Sequence, residues 1–171
     1  MTELLGRHVV LRLATDDDVE ALAAIRATRE VHRHWRGGAD MEAAVREDMD
    51  ENDSTGYVIL YDGQIAGWIQ WQAEDEADYR AASMDIYVDP ALHGRGLGSD
   101  ALRAMARHLF DDHGHHRITI DPAADNEAAI ACYRKLGFRP IGVARASERG
   151  NDGTWHDQLL MDLLADELTP G

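Results

Sequence analysis

The spacing of apolar residues along this chain switches between the period of a strand and the period of a helix, and the switches divide it into elements. RHVVLRLA at 7–14 alternates as a strand does. Thr15 then precedes DDDVEALAAIRATREV at 16–31, whose leading acids suit a helix N-terminus, and residues 39–52 form a second short helical pattern. GYVILYDGQIAGWIQWQA at 56–73 predicts two strands turning at Asp62-Gly63, a pair that supplies the positive φ angles of a tight hairpin. AASMDIYVD at 81–89 is a further strand, stopped by Pro90. Leu97, Ala101, Leu102, Met105 and Leu109 share one face of a helix over 97–112. HRITID at 116–121 is a strand ended by Pro122, and Asn126 to Leu136 is a helix with Gly137 placed to terminate it. Strands near 138–146 and 154–164 finish the chain.

The middle of this order, strand, glycine-rich loop, helix, strand, predicts two parallel strands joined by a right-handed crossover. The hairpins on either side add antiparallel neighbours. The fold class is therefore α/β in the mixed α+β sense: one sheet with helices against it, in one domain over 1–171. Ligands of such sheets bind beyond the carboxyl ends of the parallel strands. That places Val88-Asp89-Pro90, the loop at 93–98 and Asp121 together.

Charge narrows the partners. The 171 residues carry a net charge of −15, which opposes binding to nucleic acid and to anionic membranes. Acids concentrate at 46–54 and 73–78, where they serve either as a solvated surface or as an attraction for a cationic partner. The single cysteine, Cys132, allows no internal disulfide, and MTELLGRHVVLRL has no signal-peptide pattern. With no long apolar run, the expectation is a cytoplasmic protein, monomeric or homodimeric.

Several residues carry candidate chemistry. Gly94, Gly96 and Gly98 precede a helix, with Arg95 among them and Arg103 further on, an arrangement that suits either anion binding or a tightly packed turn. No Lys-Ser/Thr follows, so the loop is not a P-loop, and its spacing departs from the dinucleotide fingerprint. Asp100, in the first turn of the helix, competes with an anion for the same dipole. Asp85 lies mid-strand among apolar residues, facing away from Met84, Ile86 and Val88, where a carboxylate needs a partner, a task or water. Asp121 precedes Pro122 at a strand end and is either a turn acid or a ligand-facing one. Trp35, before Gly37-Gly38, is either a stacking wall or a helix cap. Tyr133 on the last helix is either a buried hydroxyl or a proton donor, and Cys132 beside it points to a different helix face. DDHGHH at 111–116 reads as a surface loop, so no metal is expected.

HGRGLGSDALRAMARHLF followed by RITIDPAADNEAAIACYRKLGFRPIG resembles the GCN5-related N-acetyltransferase superfamily. The family's Q/R-x-x-G-x-G/A loop is written here as His93-Gly94-Arg95-Gly96-Leu97-Gly98, with histidine in first place, and its later motif as Asn126, Ala129, Tyr133, Gly137 and Phe138. HRHWRGG at 32–38, the hairpin at 57–70, MDIYVDP at 84–90 and 120–138 resemble more narrowly the aminoglycoside 6′-N-acetyltransferases, with the 73–82 loop and SERGNDGTW departing from them. The resemblance implies a mostly antiparallel sheet with a splayed parallel pair and flanking helices. It implies acetyl-coenzyme A as co-substrate, held by the loop, Ser99, Asn126 and the backbone of Ile86, Tyr87 and Val88. It implies Asp85 as proton acceptor, Tyr133 as proton donor, and Trp35, Asp121 and Asp152 around a cationic aminoglycoside whose acetylation confers resistance. Acetylation of another amine, such as a polyamine or a protein N-terminus, and a non-catalytic acyl-coenzyme A sensor are the alternatives.

Overall fold

Eight strands form one sheet in the computed structural model, which describes residues 2–171. They are β1 (Leu4–Leu5), β2 (Val9–Leu13), β3 (Ser54–Tyr61), β4 (Gln64–Glu74), β5 (Ala81–Val88), β6 (Arg117–Ile120), β7 (Arg139–Arg149) and β8 (Trp155–Leu164). Their order is β1-β2-β3-β4-β5-β6-β8-β7, and β5–β6 is the parallel pair in an otherwise antiparallel sheet. Asp62 and Gly63 have φ of 50° and 75°, which makes the tight β3–β4 turn that their sequence predicts.

Helices cover both faces. α1 (Val19–Arg26), α2 (Arg29–His34) and α3 (Met41–Asp50) lie on one side, where Val19, Leu22, Val31 and Val45 pack with Val58, Trp68 and Tyr87 of the sheet. α4 (Leu97–Arg107) and α5 (Glu127–Leu136) lie on the other, and Leu102, Met105 and Tyr133 close over Ile59, Ile69 and Met84. Strand alternation sorts β5 as expected: Met84, Ile86 and Val88 pack on the α4–α5 side and Tyr87 on the opposite side. None of the helices among the described residues is long and apolar enough to cross a membrane.

Two helical expectations are corrected. The stretch 16–31 is not one helix, because the chain leaves the helical path at Thr28 (φ −61°, ψ 146°), whose hydroxyl donates to Ile25 O at 2.6 Å. The stretch 97–112 is regular to Arg107 and then widens into a π-turn over His108–Asp112.

The feature that positions the site is the short β5–β6 pairing. Only Ala82–Ile118 and Ser83–Thr119 are in register. Beyond Ile120 the chain stays with β8 instead: Leu159 N donates to Pro122 O (2.9 Å), Ala124 N to Asp157 O (2.9 Å), and Ala123 bridges Gln158. The parallel strands part, and a wedge opens between them.

Candidate active site

Asp85 and Asp121 each lie two residues beyond the last β5–β6 pair, Ser83–Thr119. Alternation therefore puts both carboxylates on one face of the sheet, on opposite lips of the wedge. With Gln72, Ser83, Thr119 and Met161 they line a cleft of about 340 Å³. Asp85 sits opposite Gln70 in the β4–β5 register. Trp68 Nε1 donates to Gln70 Oε1 at 3.0 Å, which leaves the Gln70 amide N–H groups for the Asp85 carboxyl. Burial pushes Asp85 up to about 7; the negative charges of Asp121 and Glu148 add to the rise, and Gln70 opposes it. Asp121 reaches solvent through the cleft, yet the enclosing walls and Glu148 hold its carboxyl above the usual range.

Glu148 is a participant that the sequence did not disclose. Between the pairs Ala144–Gln158 and Glu148–His156, residues 145–147 of β7 stand opposite Asp157 alone, a bulge that breaks the alternation. Ala146 takes a φ of 47° there, and its N–H donates to Asp157 Oδ1 at 2.8 Å. The bulge turns Glu148 towards Gln158, whose Nε2 donates to Glu148 Oε2 (3.3 Å) and to Asp121 O (3.0 Å). Ser147 Oγ donates to Gln158 Oε1 at 2.9 Å and so fixes which end of that amide faces the acids.

The glycine loop opens onto the same end of β5. Gly94 and Gly96 have φ of 82° and 75°, and a Cβ on either would meet open space, so the backbone path and not packing calls for glycine. Asp100 does not compete for this helix N-terminus, contrary to expectation. Its carboxylate turns away to accept from Arg7 N (2.8 Å), His8 N (2.7 Å) and Val9 N (3.0 Å). Burial opposes its ionisation, and those three N–H groups outweigh burial, holding the carboxyl below the usual range. Arg103 is likewise committed elsewhere, donating to Thr169 O at 3.1 Å. Arg95 is exposed on the loop, and His93 Nε2 lies 3.1 Å from Val88 O. Ser99 Oγ contacts Cys132 Sγ at 3.1 Å, joining α4 to α5, and burial raises the Cys132 thiol above its usual range.

Tyr133 is buried, and that burial, then the charges of Cys132, Asp85 and Asp121, push its pKa up. Asn126 Oδ1 caps α5 by accepting from Ala129 N at 3.3 Å. Trp35 is the residue that ends α2, half-buried and edge-on to Tyr87 with ring centres 4.8 Å apart. Asp152, unlike Glu148, is not among the acids whose charge acts on Asp85 and Asp121. Its carboxylate stays in the β7–β8 turn, bound to His156 Nε2 (2.9 Å) and Thr154 N (2.9 Å), and the His156 contact holds it down at about 2.

The profile of the "Acetyltransferase (GNAT) family" matches residues 21–138. This chain belongs to the GNAT acetyltransferase family. Among GNAT relatives, the "Aminoglycoside N(6′)-acetyltransferase type 1" of Klebsiella pneumoniae is 28% identical over 154 residues, covering 79% of this chain and 76% of that protein. The mycothiol acetyltransferase of Salinispora tropica is 34% identical over 105 residues, which is 58% of this chain and 33% of that longer protein. RimL, a ribosomal L7/L12 alpha-N-protein acetyltransferase solved with coenzyme A, has the same GNAT fold at a TM-score of 0.80 and 21% identity, covering 97% of this chain and 99% of that one. The splayed parallel pair that the GNAT resemblance implied is the β5–β6 wedge. The chain is an acetyl-coenzyme A-dependent N-acetyltransferase.

Proposed function

We propose that the protein acetylates a primary amine of an aminoglycoside, the 6′-amine, by direct transfer from acetyl-coenzyme A. The observation that carries the reading is the pair of carboxylates on the two lips of the wedge, one of them with its proton equilibrium near neutrality. An amine must lose a proton to become a nucleophile, and Asp85 at about 7 is matched to take it. A polycation is held by more than one acid, and Asp121 supplies the second. The Klebsiella relative named for this activity supports the same acceptor.

The residues around the wedge fit the coenzyme. Past Ser83 the β6-facing edge of β5 is open; Tyr87, like Asp89, turns its backbone N–H and C=O to β4, so Ile86 and Val88 are the residues whose backbone groups face the pantetheine arm, as an added strand would use them. The loop His93–Gly98, with Ser99 in the first turn of α4 and Arg95 as a cation, takes the pyrophosphate. Asn126 keeps its amide N–H for the pantetheine. In the reaction the amine nitrogen forms the amide bond as the thioester C–S bond breaks. The ammonium gives one proton to Asp85 before it attacks; its second proton leaves after the C–N bond has formed and makes good the one that Tyr133, kept neutral by burial, gives to the leaving thiolate. Cys132, with its thiol raised by burial, has no part in this route.

The test is thiol release from acetyl-coenzyme A with 2-deoxystreptamine aminoglycosides, spermidine and short peptides as acceptors. Release confined to aminoglycosides that bear a 6′-amine is the expected result. Release with spermidine or peptides alone overturns the acceptor and leaves acetyl transfer standing.

A further inference from the structure

We infer that Glu148 and Arg36 set the charge requirement of the acceptor: Glu148 binds an ammonium remote from the amine being acetylated, and Arg36 holds that place until such an acceptor displaces it. The inference rests on the amine-acetylating reading of the wedge.

The position of Glu148 is built. The β7 bulge that aims it keeps a non-glycine residue, Ala146, at a φ of 47°. That conformation costs on the order of 1 kcal/mol. The Gln158 amide, oriented by Ser147, ties the Glu148 carboxylate to the backbone carbonyl of Asp121, so the outer acid stands at a fixed place beside the inner one. An amide N–H satisfies one lone pair but leaves the negative charge uncompensated.

The cation paired with that charge is Arg36, whose Nε lies 3.8 Å from Glu148 Oε2, beyond hydrogen-bond distance. The Arg36 side chain is 62% exposed and that of Glu148 26%. A loose pair of this kind contributes at most about 1 kcal/mol and yields to a better-placed cation. The backbone that carries Arg36, by contrast, is clamped. Arg36 O accepts from the Nη2 of Arg26, a fully buried residue that is ion-paired with Asp48. From the other side Asn151, in the β7–β8 turn, donates through Nδ2 to His32 O (2.6 Å) and Trp35 O (3.2 Å), and its Oδ1 accepts from Gly37 N at 3.4 Å. An exposed, loosely paired guanidinium on a fixed backbone at the rim of an acidic cleft acts as an internal substitute for a substrate ammonium. An acceptor with one ammonium engages Asp85 and Asp121 alone. One with a second ammonium also gains Glu148.

Calorimetric titration of the full chain with coenzyme A present, using kanamycin as the polycation and glucosamine as the single-ammonium amino sugar, separates the outcomes. Kanamycin is expected to bind more tightly than glucosamine. Glu148→Gln, which preserves the Gln158 contact, is expected to weaken kanamycin about tenfold, or about 1.4 kcal/mol, and to leave glucosamine within about twofold. Arg36→Ala, on the surface, is expected to tighten kanamycin about threefold. Equal weakening of both ligands by Glu148→Gln, no weakening, or weaker kanamycin binding in Arg36→Ala overturns the inference. So does a wild-type protein that does not prefer kanamycin. Kanamycin bound with the expected variant pattern but never acetylated overturns the function proposed above and leaves this inference intact.

Discussion

Asp85 is poised where a carboxyl must choose between two penalties, losing solvation when charged or leaving an amine protonated when neutral. Its pKa of about 7 gives a direct pH signature: kcat is expected to rise as pH passes through 7 and to level off above it. Asp85→Asn is expected to lower kcat by roughly hundredfold or more. Its affinity for coenzyme A is expected to stay within about twofold, since the variant keeps the β5 backbone. Stability carries the opposite sign. A carboxyl whose folded pKa is raised holds its proton in the native state after the unfolded chain has released it, so it destabilises progressively as pH rises from the unfolded value towards 7. The Asn variant is therefore expected to resist urea better than wild type at pH 8, with the difference vanishing near pH 4. Asp100 behaves in reverse. Its carboxyl is held below the usual range by the N–H groups of Arg7, His8 and Val9, so its contribution is present above the unfolded pKa and lost as pH falls through the folded one. Asp100→Ala leaves those donors unpaired and is expected to cost about 2–4 kcal/mol in denaturant melts at neutral pH.

The elements show which of these placements the sequence could announce. Asp85 was legible because an acid between Met84 and Ile86 interrupts an apolar strand, and Asp121 because Pro122 ends the strand at the ligand side of a crossover. Both cues are local. What brought the two acids face to face is the register Ser83–Thr119 and the early parting of β5 from β6, and register is a property of a pair of strands that neither segment carries alone. Glu148 was hidden for a related reason: the bulge at 145–147 breaks the period by which faces are read. The break at Thr28 was hidden because a single hydroxyl taking Ile25 O outweighs a helical pattern that continues on either side of it. Asp152 was placed in the right turn, yet nothing in the turn's composition foretold that His156 and Thr154 would occupy its carboxylate. The loop before α4 gives a prediction at this scale. Gly96→Ala must hold a φ of 75° with a side chain, a strain of about 1 kcal/mol. It is expected to raise the KM for acetyl-coenzyme A several-fold while leaving the KM for the acceptor unchanged in steady-state assays.

For the whole molecule, a net charge of −15 acts on the two substrates in opposite directions. The polycationic acceptor proposed above would be drawn in by the long-range field, and the phosphates of the coenzyme would be repelled by it until they met the proposed cradle at 93–98. Raising the salt from low to moderate concentration is therefore expected to lower kcat/KM for the acceptor and to raise it for acetyl-coenzyme A, opposite slopes that one series of initial-rate measurements reveals. The same molecule holds a strand that loses its neighbour partway along. Such an edge is elsewhere the outermost strand of a sheet, where it recruits foreign chains into aggregates and is blunted by charge, proline or a covering helix. In this chain the open run lies inside the sheet, where β5 has parted from β6 and the chain after β6 has turned to β8. With the coenzyme arm proposed for that run, a template that would endanger most sheets at their margin serves here as a binding edge.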